Sequence, residues 1–324
     1  NPTNIKQRWI DAADAAEKLI DTRYSLVDEY EDVFLTWNEE VIFARAFTQG
    51  NTTDFANWHA RSGDNGMGII TPTQNMVNAY EMKATGERPY TEKADGTLVL
   101  NAGSGYDPQK PFEGRDPRFY ASVLYDGAVW MDRETETFFG GKDDANDPAA
   151  AQPWNATHTG YYLRKFMDEK VPPSGSSVKM TSPWIHFRYA EILLNYAEAK
   201  FEAGEEGTAR IYLNKVRQRT GVKMPDINDT GDVLRKRIQN ERRVELAFEH
   251  HRFFDVRRWK IAETTEKIPL QKMVITKENS VKKYDIQTLY NRDFKSHQYL
   301  MPIPRTEIEK SMNTLTQNDG YATK

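Results

Sequence analysis

The 324-residue chain contains no cysteine. Disulfides, thiolate zinc sites and cysteine nucleophiles are excluded together, while the redox compartment stays unassigned because proteins of either kind can lack cysteine. No stretch approaches 18 apolar residues, so no transmembrane helix is expected, and no charged-then-apolar segment opens the chain as a signal peptide would. The six histidines show neither HExxH nor an i, i+4 pair, and the adjacent His250 and His251 point in different directions on a helix. A Walker loop, a GxSxG elbow and a dinucleotide fingerprint are also missing; Gly63, Gly66 and Gly68 give GxxGxG, the wrong order. Asp143, Asp144, Asn146 and Asp147 are hard oxygen ligands, but they fail the EF-hand spacing and lack its glycine and terminal Glu. No metal and no cofactor is therefore expected. A net charge of −4 argues against nucleic acid as the main partner.

What is present fits a water-soluble protein with a wide polar surface: 38% hydrophobic and 28% charged residues, and a mean hydropathy of −0.77. Aromatic residues make up 12%, including seven Trp and sixteen Tyr. So many rings cannot all lie in the core, and exposed aromatics are a common means of binding sugars or partners. Ile5, Trp9, Ala12, Ala13, Ala16 and Ile20 share one face of a helix of about four turns. A short helical piece is expected over Asp28 to Phe34 and a buried extended run over Val41 to Phe47. From Asn51 to Thr73 periodicity vanishes, leaving a Gly/Asn/Thr-rich loop, and a short helix closed by Gly86 follows.

Residues 87–182 are rich in Gly, Pro, Asp and rings, with Asp126-Gly127 as the strongest hairpin signal and Asp95-Gly96 leading into a short strand. Helix is expected to return at Ser182-Pro183, with serine as N-cap and proline in the first turn, and to stop at Gly204. A second helix through Ala209, Tyr212, Leu213 and Val216 follows so closely that the two form an antiparallel hairpin of tetratricopeptide length. The last 60 residues read as mixed, with an extended Met301-Pro302-Ile303-Pro304 and a short helix capped by Thr306.

Between Asp232 and Lys260 lies the most informative block, DVLRKRIQNERRVELAFEHHRFFDVRRWK. On a helix Leu234, Ile238, Val244 and Phe248 form a stripe, and Glu241, Glu245 and Glu249 fall inside it. Buried carboxylates require compensation, because an unpaired buried charge costs several kcal/mol or more. Two readings are open: an arginine–carboxylate network that fixes packing, or a carboxylate cluster that performs chemistry or binds metal. The abundance of arginine favours the network, with Arg242, Arg252, Arg257 and Arg258 as the nearby partners and Asp255 as a fourth acid.

The run ERRVELAFEHHRFFDVRRW, with RYAEILLNYAEAKFEAG before it and YLMPIPRTEIEKS…LTQNDGY at the end, resembles the SusD/RagB family. That resemblance implies a mainly α fold, in which tetratricopeptide-like antiparallel helix pairs support a loop-rich, partly β subdomain. One domain would span residues 1–324, with a helical scaffold at 1–50 and 183–264, a ligand-binding region at 51–182 and a mixed segment at 265–324. It further implies a surface-exposed outer-membrane lipoprotein of Bacteroidetes that captures a glycan or oligosaccharide, without catalysis, for a SusC-like TonB-dependent transporter. The lipidated cysteine and an earlier helical region of such a protein are not in this sequence, which looks like its later two-thirds.

Sugar sites combine rings that stack on sugar faces with Asp, Asn and Arg that bond hydroxyls. Trp58, Arg61, Asp64 and Asn65 supply that mixture in one loop, and Trp130, Trp154, Asn155 and Tyr161 supply it in others. Trp9, Trp184 and Trp259 are expected on helices, in the core. Two rival readings remain: a helical-repeat adaptor for a protein or peptide, whose rings pack inward, and a hydrolase using two carboxylates.

Overall fold

The computed structural model describes residues 4–48, 52–144, 153–173, 179–312 and 314–322. It is mainly helical. The first helix, Ile5–Glu17, is opened by Asn4, whose side chain accepts from the Gln7 amide, and buries Ala13 and Ala16. These small side chains let it lie against the helix Tyr189–Glu202, which in turn packs on Glu206–Arg217. Gly204, at φ +92°, makes the tight turn between the last two. The helix Gly231–Glu245 closes this layer, and the shared core runs through Leu193, Leu194, Ala197, Leu213, Leu234 and Ile238. These tetratricopeptide-like pairs carry a loop-rich, partly β region on their flank.

Several local expectations are corrected. Trp184–Arg188 is a strand and helix begins only at Tyr189, because WIHFR finds an antiparallel partner in Val41–Arg45. A partner 140 residues away overrides the Ser-Pro start signal. The Val41–Arg45 strand is not buried throughout: Val41 is, but Phe43 is 57% exposed. At Asp126-Gly127 a turn forms, with Gly127 at φ +89°, yet its flanks do not pair with each other. Val123–Leu124 pairs with Tyr162–Leu163, and Val129–Trp130 pairs with Arg133–Glu134 across Met131 and Asp132, both at positive φ. The block from Asp232 does not continue as one helix either. Phe248 and His250 adopt left-handed backbone and break it before the helix His251–Arg258, so Glu249 stands on the turn. The mixed C-terminal segment holds a long hairpin, Leu270–Glu278 with Val281–Tyr290.

Glu241, Glu245 and Glu249 all point inward, and their partners come from distant segments rather than from the neighbouring Arg252, Arg257 and Arg258. Glu245, fully buried, accepts from Arg118 at 2.9 Å, Arg188 at 2.7 Å and Arg219 at 2.9 Å. Glu241 pairs with Arg118 and, at 2.7 Å, with Arg217. Glu249 takes Arg188 at 2.7 Å and Lys165 at 2.6 Å. Glu40 joins Arg188 and Arg219 at 2.7 Å each. Arg242 bonds Asp255 at 3.2 Å and Asn195 at 2.6 Å, while Arg252 bonds Glu266 at 3.1 Å. Burial pushes the Glu245 carboxyl up, but Arg219, Arg188 and Arg118 outweigh it and hold the group well below the usual carboxylate range. The network thus joins helices 189–202, 206–217 and 231–245 to Arg118 and Lys165 of the loop-rich region, and fixes that region's base.

Candidate ligand-binding surface

Two of the eight candidate ligand residues present rings to solvent. Trp58, on the short helix Phe55–His59, is 44% exposed, and Trp154, on the turn Pro153–Asn155, is 74% exposed. Their loops abut. The Trp58 carbonyl accepts from the Ile69 amide at 2.9 Å, which folds residues 67–69 back along the helix Phe55–His59. Gly68 then lies so close to the second loop that a Cβ on it would meet the Asn155 carbonyl oxygen at 2.5 Å. With φ at +53° as well, that position requires glycine. Met67 and Ile69, 43% and 62% exposed, extend the apolar surface between the loops.

Of the other candidates, Arg61 and Asp64 hold these loops, while Asn65 is exposed. Arg61, fully buried, donates to Asp64 at 2.7 Å, to the Thr135 hydroxyl at 2.8 Å and to the Trp130 carbonyl at 2.7 Å. Asp64 also accepts from Arg133 at 2.8 Å, and Arg133 grips Asp143 through two bonds of 2.7 Å. This chain of alternating charge ties residues 61–64 to 130–143. It also uses one acid of the candidate calcium group; Asn146 and Asp147 of that group lie outside the described residues. Asn65 ends the turn 62–64 in left-handed backbone, and Asn155 is half-buried beside Gly68.

Trp130 and Tyr161 are corrected. At 1% and 0% exposure they belong to the core, Trp130 among Leu124, Tyr162 and Leu163, and Tyr161 donating to Gln74 at 2.6 Å. Trp130 turns inward from the strand Val129–Trp130, and Tyr161, just before the strand Tyr162–Leu163, packs on a second cluster with Val77, Tyr80 and Phe119. Trp184 is half-buried on its strand, and Trp9 and Trp259 are half-buried on the scaffold.

Two tie residues escaped sequence reasoning, Arg133 and Tyr162. The Tyr162 hydroxyl bonds the Ser62 hydroxyl at 2.9 Å, donates to the Asp143 carbonyl at 2.9 Å and accepts from the Thr157 amide at 3.0 Å. Adjacent Tyr161 and Tyr162 alternate in direction, a period-two clue that one serves another purpose than its neighbour. His59, the residue after Trp58, has no polar partner at Nδ1, and burial lowers its pKa to about 4. It is a neutral prop packed against Phe55, with ring centroids 4.1 Å apart and the planes tilted by 52°.

The surface is open. Neither Trp58 nor Trp154 lines the cavity of about 1320 Å3 that borders the helix Gly231–Glu245. Among the described residues no group of three or more His, Cys, Asp or Glu could hold a metal, and no helix is long and apolar enough to cross a membrane.

The fold has solved counterparts. A SusD-like protein of Bacteroides fragilis superposes with a TM-score of 0.77 at 29% identity, covering 98% of this chain and 63% of that one. A SusD-like carbohydrate-binding protein of the same species gives 0.73 at 24% identity, covering 95% and 61%. SusD-like protein P2 of Formosa agariphila is 30% identical over 149 residues, 43% of this chain and 26% of that protein. The chain therefore spans less than two thirds of these relatives' own length. The SusD family model matches residues 39–321, which take in both the buried network and the exposed loops, and the chain belongs to the SusD family.

Proposed function

We propose that the chain captures a glycan on the surface formed by the Trp58 and Trp154 loops, without catalysis, and hands it to a TonB-dependent transporter at the cell surface. The observation that carries this reading is the pair of exposed indoles, 44% and 74% accessible, on loops that touch through Gly68 and Asn155. Exposed rings of this size are hydrophobic surface left uncovered, and a sugar's C–H face covers it while its hydroxyls stay wet. The loops are held by buried ion pairs and by Tyr162, so little ordering is required on binding. Family membership and the carbohydrate-binding B. fragilis relative support the ligand class. The carboxylates of Glu241 and Glu245 are occupied by arginines, which argues against their acting as a glycosidase pair.

A glycan array followed by calorimetry on the best hit, repeated with Trp58→Ala and Trp154→Ala, tests the reading. Saturable binding that either substitution removes, with no product over hours, is the expected result. Binding to no glycan would sink it. A protein partner is the second reading, favoured by Phe43 and Phe187, cross-strand neighbours that are both more than half exposed with ring centroids 6.3 Å apart. In that case the transporter or another protein would be the only ligand.

A further inference from the structure

The cavity of about 1320 Å3 is walled by the helix Gly231–Glu245, the turn and helix that follow it, residues 70–76 and residues 87–92. Seven Lys or Arg side chains face it against five Asp or Glu. Four of the seven cations are matched. Arg237 is taken up by Glu81, Glu87 and Asp229, Arg242 by Asp255, and Arg252 and Arg292 share Glu266. Three are left over: Lys236, which is exposed, and the two arginines Arg88 and Arg243.

Arg88 donates through Nε to the Asn78 carbonyl at 3.2 Å, and its Nη2 is enclosed with no hydrogen-bond partner. Arg243 donates once, through Nη2 to the Asn75 carbonyl at 2.9 Å. Neither forms an ion pair among the described residues. Glu92, the remaining acid of the lining, attracts both but bonds Asn75 instead. Burial lowers the Arg243 pKa to about 9, helped by repulsion from Arg252 and Arg88. Guanidinium groups so placed gain from any oxyanion that enters between them, since planar forks suit carboxylate and sulfate alike. The same cavity is lined by Tyr90, Phe253 and Phe254, the last two 44% and 64% exposed, which supply apolar faces next to the charge.

We propose that this cavity is a second saccharide site, one that takes an acidic sugar and seats its carboxylate or sulfate between Arg88 and Arg243. The choice of a saccharide as carrier of the anion rests on the glycan-capture reading; the anion preference rests on the two arginines. The exposed tryptophans and the cavity then divide the work, stacking on one surface and reading charge on the other. The net charge of −4 and the narrow cationic surplus favour a single acidic group over a polyanion such as nucleic acid.

The full chain is titrated with tetragalacturonate, its methyl ester and a sulfated galactan tetrasaccharide, at low and physiological salt. Arg88→Gln, Arg243→Gln and Trp154→Ala are titrated alongside, and each variant's thermal melt confirms folding. One charged oligomer is expected to bind about tenfold or more tighter than the methyl ester, and either arginine substitution to remove that preference. Tetragalacturonate as the better ligand identifies a carboxylate, the galactan a sulfate. Trp154→Ala is expected to leave the charge preference intact, so its loss of neutral-glycan binding reports on the tryptophan surface alone. Equal affinity for charged and esterified oligomers would overturn the proposal, as would arginine variants that keep the preference. So would an acidic peptide that binds the cavity more tightly than either oligomer. If Arg243→Gln fails to fold, Arg88→Gln, on a separate segment, decides.

Discussion

Replacing Glu245 by Gln removes one charge from the centre of the network while keeping its shape. One carboxylate oxygen accepts from Arg188 and Arg219, and the other from Arg118. The amide retains a single acceptor, and its NH2 group must face a guanidinium that has only donors to offer. Removing one partner of a buried pair costs about 3–5 kcal/mol. Arg118 keeps Asp116 and Glu241, and Arg188 and Arg219 keep Glu40, so the loss falls near about 3 kcal/mol. With an unfolding entropy of about 2.1 cal/mol/K per residue, a chain of this length loses roughly 4 °C in Tm. The gap also depends on pH. The folded-state pKa of Glu245 is depressed, so its contribution is complete above the unfolded value of about 4.3 and is lost as pH falls through the lower folded value. Melts of both proteins, followed by circular dichroism, should therefore differ at pH 7 and draw closer as pH falls below about 4.3, the gap closing fully only below the depressed folded value. A variant that melts within about 1 °C of wild type at pH 7 would refute the network and revive a catalytic role for this carboxylate.

Trp130→Ala should cost about 3–5 kcal/mol by emptying the loop-region core, while Trp154→Ala should change stability by less than about 0.5 kcal/mol and act on binding alone; chemical denaturation separates them. Gly68→Ala should weaken glycan binding and lower stability by about 1–3 kcal/mol, since the methyl meets the Asn155 carbonyl in a left-handed backbone; unaltered binding would detach the two loops from each other. His59 is held neutral by burial, with its pKa lowered to about 4, so the unfolded chain takes up the proton first. Stability should fall as pH drops from about 6.5 to 4, and His59→Phe should flatten that slope in urea titrations at stepped pH.

What the sequence made legible was whatever depends on near neighbours. The helix pair over 189–217 follows from apolar spacing and from Gly204, both local. The strand Trp184–Arg188 was hidden because its partner lies 140 residues away, and a serine–proline pair offered a convincing local alternative. The hairpin 270–290 turns on Asn279 and Ser280, both at positive φ without the glycine that normally announces such a turn. The requirement that Glu241, Glu245 and Glu249 find partners was also legible, since it is a matter of charge and burial. Which partners was not: Arg118, Arg188, Arg217 and Arg219 are 24 to 127 residues away. Ring exposure was legible only in aggregate. Composition demands that some aromatics be outside, while the inward turn of Trp130 and Tyr161 and the outward turn of Trp58 and Trp154 depend on how loops cross.

These two kinds of legibility bear on function differently. The residues that make the family recognisable, Glu241, Arg242, Glu245 and Arg252 among them, are the ones engaged in ion pairs. An ion-pair network of this density tolerates few changes, because each substitution leaves a charge uncompensated. A tryptophan that is 74% exposed has few contacts to lose, so its loop can change with little cost to the fold. A shared family therefore transmits the base on which loops are held, and not the ligand they hold. Specificity must be read from exposed rings and unmatched charges in this chain, and Trp58, Trp154, Arg88 and Arg243 are among the described groups whose surroundings leave chemistry unsatisfied.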